Sequence, residues 1–107
     1  MNRKELNIMK ERIEIKNLEQ LYEAILTLET PEECALFFKD LCTVPELKAL
    51  SQRFQVAKLL TENHVYSDIV QETGASTATI SRVNRSLAYD GSGGYSIVFD
   101  RLREKKN

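Results

Sequence analysis

The chain has 107 residues, a net charge of −1 and a hydrophobic fraction of 42%. That length points to one domain and the composition to an ordinary folded protein. No apolar run approaches the roughly 18 residues of a membrane span, and MNRKELNIMKER has no apolar core of a secretory signal, so a cytoplasmic protein is expected.

The charge is unevenly placed. Residues 1–62 hold 11 of the 16 acids and 9 of the 15 bases. From Ala75 to Ala88 the only charged residues are Arg82 and Arg85. Positive potential is therefore local, and partners would be engaged by specific contacts and avidity more than by a broad basic face. A chain this short buries only about two-thirds of its unfolded surface by itself, so a homodimer would add core at little cost.

Residues 1–13 mix charge with scattered apolar groups and read as a flexible arm or a frayed helix start. A single domain is expected over 14–107. From Ile15 onward, Ile15, Leu18, Leu21, Tyr22, Ile25 and Leu26 share one helical face. Thr30-Pro31-Glu32-Glu33 then opens a second helix: Thr30 caps, Pro31 suits the first helical position, and Glu33 completes a capping box. Cys34, Phe37, Phe38 and Leu41 form its stripe. Cys34 and Cys42 match no zinc spacing and read as reduced, core-packing thiols. The faces of these two helices exceed what one small subunit covers, which again points to a dimer interface.

Thr43 and Glu46 repeat the capping pattern before a third helix running to about Thr61. Its predicted inner side is Leu47, Leu50, Phe54, Ala57 and Leu60. His64 falls in a solvated connection. The segment 66–88, YSDIVQETGASTATISRVNRSLA, carries the clearest functional signal. A short helix stops at Gly74, where a positive φ allows a sharp turn. Ser76 caps the next helix, with Ile80, Val83 and Leu87 inward. This is the pattern of a helix-turn-helix, whose second helix enters the DNA major groove. The run Asp90-Gly91-Ser92-Gly93-Gly94 breaks that helix. A last helix places Ile97, Val98 and Leu102 inward and ends in basic residues from Arg101 to Lys106. Six helices and no strand result.

Within the helix-turn-helix, Ser76, Thr77, Ala78 and Thr79 suit base edges, either directly or through ordered water, while Arg82, Asn84 and Arg85 reach phosphates or purines. Tyr66 suits a phosphate or packing equally. No His-acid-nucleophile set, metal spacing or phosphate loop suggests an enzyme.

The sequences DLCTVPELKALSQRFQVAKLL and YSDIVQETGASTATISRVNRSL resemble the Trp repressor family, closely over about Leu36 to Leu87, and within it the YerC/YecD branch. That family is itself a type example of helix-turn-helix docking. The resemblance implies an all-α, six-helix fold in an intertwined homodimer. The function it implies is that of a transcriptional regulator, a repressor by analogy, acting on a palindromic double-stranded DNA operator. It also implies an L-tryptophan or other amino-acid-like corepressor. Arg53 and Arg82 match arginines that would sandwich a ring and hold a carboxylate. Thr43, Thr79 and Ser86 match polar pocket positions. Val83 stands where the family has a glycine, and Asp40 and Cys42 replace apolar residues. A smaller corepressor, or none, is equally compatible with these positions, and so is a helical interaction module. Arg53 equally suits a surface pair with Glu46 or Glu62, Arg82 a phosphate contact alone, and Val83 a core position.

Overall fold

The computed structural model describes residues 1–89 and 91–106. Asp90, the first residue of the expected glycine-rich break, lies outside them. Among the described residues there are six α-helices and no strand: α1 (Arg3–Ile25), α2 (Pro31–Leu41), α3 (Val44–Thr61), α4 (Tyr66–Thr73), α5 (Thr77–Ala88) and α6 (Gly94–Lys106). Contacts divide the chain into two units, α1 and α2 up to Thr43, and α3 to α6 from Val44 onward.

In the first unit, α1 starts earlier than its apolar pattern suggests. The Asn2 side chain accepts the Glu5 backbone N–H at 2.8 Å. This satisfies one of the free amides of the first turn. The segment 3–13, expected as a flexible arm or a frayed helix start, is rich in good helix formers and is helical. Thr30 caps α2 as predicted, its hydroxyl accepting the Glu33 N–H at 3.1 Å. The Glu33 carboxylate accepts from the Glu29 N–H at 2.8 Å, one residue before the cap, so the reciprocal bond of the capping box is displaced. No residue of either helix is buried. Ile15, Leu18, Tyr22, Leu26, Leu36 and Leu41 are exposed. Phe37 and Phe38 are half-buried and meet edge to face at 5.6 Å. The two thiols do not pack as a core pair: Cys34 is exposed and Cys42 half-buried.

The second unit holds the core. Val56, Ala57 and Leu59 come from α3, Ile69 from α4, Ala75 from the turn, Ile80 and Val83 from α5, and Phe99 from α6. The helix α3 packs on both α4 and α5. Its inner face is rotated from the predicted stripe: Ala57 is buried and Leu60 half-buried, but Leu50 and Phe54 are exposed. Apolar residues lie on several sides of α3, so periodicity alone does not select the side that α4 and α5 cover. A similar correction applies to α6, where Ile97, Val98 and Leu102 are all exposed. Tyr95 and Phe99, one turn apart, form the inner face instead. Phe99 stacks on Phe54 at 5.3 Å, and Tyr95 on Phe99 at 6.0 Å. Aromatic area, not the aliphatic stripe, docks this helix.

Candidate nucleic-acid interface

The site is built around the turn between α4 and α5. Gly74 sits at φ 71°, ψ 7°, in the left-handed region, and its N–H bonds to the Val70 carbonyl at 2.9 Å. A side chain at this φ would be strained, which is why glycine ends α4 here. Thr73 braces the same turn. Its hydroxyl donates to the Ile69 carbonyl at 2.7 Å and accepts the Ala75 N–H at 3.1 Å. Ala75 is then buried beneath the turn.

The helix α5 begins as predicted. Ser76 is extended at φ −71°, ψ 157°, and its hydroxyl oxygen accepts the Thr79 N–H at 3.1 Å. The same hydroxyl donates to Thr79 Oγ1 at 3.1 Å. No acid occupies the first turn of α5, so its free amides keep their attraction for an anion. Ile80 and Val83 are buried and Leu87 is half-buried, which turns the opposite face outward.

On that outer face Ser76, Thr77, Ala78, Arg82 and Arg85 are exposed. Thr79 and Asn84 are half-buried at its flanks, and the Thr79 hydroxyl is already engaged by Ser76. Ala78, Ser81, Arg82, Arg85 and Ser86 together line a depression of about 340 Å³. Ser81 is absent from the predicted set. Its signal was spacing, not residue type: 78, 81, 82 and 85 follow the i, i+3, i+4, i+7 rule of one helical face.

Of the residues matched to an effector pocket, Arg82 and Ser86 share that depression. Arg53 is exposed on α3. Thr43 belongs to the first unit. Val83 is only 3% exposed and belongs to the core cluster, so its side chain fills space inside the fold. Ser86 also borders a larger cavity of about 740 Å³ with Phe54, Leu87, Tyr89, Tyr95 and the glycine-rich run. Gly91 lies close to the end of α5, where a Cβ would collide with the Ser86 carbonyl. His64, in the connection before α4, is half-buried and lies 3.7 Å from the Glu62 carboxylate. Among the described residues no cluster of His, Cys, Asp or Glu could hold a metal ion. None of the described helices is long and apolar enough to cross a membrane.

An acid-free, capped helix after a glycine turn, with one face in a shared helical core and the other exposed, defines a helix-turn-helix protein of the all-α class. Comparison with known proteins gives the family. The Trp repressor protein family matches residues 16–103, and the chain belongs to that family. It is 52% identical over 89 residues to YerC, an uncharacterized protein of Bacillus subtilis strain 168, covering 83% of this chain and 85% of that protein. A crystal structure of a candidate Trp repressor from Staphylococcus aureus shares 55% identity and superposes with a TM-score of 0.78, covering 82% of this chain and 87% of that one. A TrpR-like protein from Eubacterium eligens ATCC 27750 shares 57% identity at the same TM-score of 0.78, covering 81% and 89%. The predicted six-helix fold is thus borne out. In general terms the chain is a DNA-binding regulator, as its family is.

Proposed function

We propose that this regulator is a homodimeric, cytoplasmic transcriptional repressor that reads a palindromic operator with α5. One observation supports this most: the outer face of α5 carries Ala78, Ser81, Arg82 and Arg85 exposed together, while Ile80 and Val83 anchor the opposite face. Arg82, Asn84 and Arg85 hold phosphates or purine edges. Ser76, Thr77 and Ala78 meet base edges at the helix start, and Thr79 supports Ser76. Residues 14–107 act as one functional domain, and two copies place their α5 helices in half-sites about one DNA turn apart.

Binding to a randomised duplex library tests this. An enriched palindrome is expected, and Arg85→Ala is expected to weaken its binding by about tenfold, the scale of one good contact. Absence of any enriched sequence would sink the repressor reading.

Control by a small ligand is a separate proposal. An amino-acid-like corepressor would be held by Arg53 and Arg82, with Thr79 and Ser86 as polar contacts. It would strengthen DNA binding only by preferring the DNA-competent state. The near-complete burial of Val83 favours a ligand smaller than L-tryptophan, or operator binding without any ligand. Calorimetry with tryptophan and smaller amino acids distinguishes these. Heat from a small amino acid alone supports gating, and silence at millimolar concentration supports the ungated regulator.

A further inference from the structure

We infer that Gln52 on α3 is a positioning residue for the recognition helix, an inference that rests on operator reading by α5. Thr73 is the last residue of α4, so its carbonyl is one of those left without a partner inside the helix. Gln52 Nε2 donates to that carbonyl at 3.2 Å, across 21 positions of sequence. Gln52 is half-buried, so water competes weakly for the bond.

The location gives the bond its effect. Apolar contacts among Val56, Ile69, Ala75 and Ile80 keep α3, α4 and α5 together, but burial is not directional. The angle at which α5 leaves the turn depends on backbone orientation at Thr73, Gly74 and Ala75. Thr73 and Gly74 fix that backbone from within α4, through the bonds to Ile69, Val70 and Ala75. Gln52 fixes it from outside, against the body of α3. Ser76 opens α5 three residues beyond Thr73, so a rotation at the turn would move the base-reading end of α5 directly. Gln52 holds the turn in the orientation that DNA meets.

The test uses the full chain with Gln52→Met, which keeps side-chain length but removes the donor. Gln52→Glu, which replaces the donor with an acceptor, provides a second variant. Gln55→Met makes the same change at an exposed neighbour bordering the same groove beside Glu72 and Thr73. Hydrogen exchange at the Gly74, Ala75 and Ser76 amides is expected to quicken about fivefold in both Gln52 variants and not in Gln55→Met, the scale of one partly shielded hydrogen bond. Operator affinity is expected to fall by about the same factor, with affinity for random duplex unchanged. Exchange and affinity matching Gln55→Met would overturn the inference. So would equal loss on operator and random DNA with unchanged exchange, which would make Gln52 a phosphate contact. If the unmodified chain selects no operator, the repressor reading fails, and the exchange comparison alone still decides whether Gln52 holds the turn.

Discussion

The two units of this chain are built on opposite terms. In α3 to α6, eight residues close into a core around the helix-turn-helix. In α1 and α2 nothing is buried, although the apolar content is high: Tyr22 is 56% exposed, Leu36 69% and Leu26 82%. An apolar face of that extent on a small protein marks an association surface. On the proposed function, DNA reading and assembly fall to different parts of the chain. The reading unit has its own core, whereas the first unit has the composition of a core without a core.

Substitutions can break that contrast. The largest effect is expected from Ile80→Ala, since Ile80 is fully buried beneath α5. A loss of about 2–5 kcal/mol is expected, independent of protein concentration, in denaturant unfolding. If Ile80→Ala were as mild as a surface change, the core assignment would be wrong. Next comes Tyr22→Asp on the exposed face of α1. Its expected effect is on assembly: dissociation in sedimentation experiments, and an operator affinity lower by roughly tenfold or more through lost avidity. A sedimentation coefficient unchanged by Tyr22→Asp would remove α1 from the interface. The smallest effect is expected from Ser76→Ala, which removes the cap of α5. A cost of about 1 kcal/mol in unfolding is expected, since the helix stays packed through Ile80 and Val83. A cost several times larger would mean that the Ser76–Thr79 pair does more than cap.

Local signals were legible wherever a short-range bond decides the outcome. The Thr30 and Ser76 caps and the left-handed Gly74 are each settled by neighbours within a few residues. So is the inward set Ile80, Val83 and Leu87, because α5 has one apolar side and one polar side. Where a helix is apolar on several sides, periodicity misleads. It put Leu50 on the inner side of α3 and Ile97, Val98 and Leu102 on that of α6, yet all four are exposed. It also left 3–13 open between an arm and a frayed helix start, because that stretch is helical without an apolar stripe. The candidate DNA face was legible in residue type but not in direction. Residue type selected Thr79 and Asn84, which lie half-buried at the flanks, while Ser81, which faces out, was passed over.

Six helices, where most of them begin, and a helix-turn-helix pattern were written in the chain locally. Those follow from caps, a glycine turn and residues that meet along the chain. Tertiary packing alone settled which sides of α3 and α6 turn inward, and that Gln52 reaches the Thr73 carbonyl. The reason is physical: burial and cross-chain hydrogen bonds depend on what the neighbouring helix presents, and no local pattern encodes that neighbour.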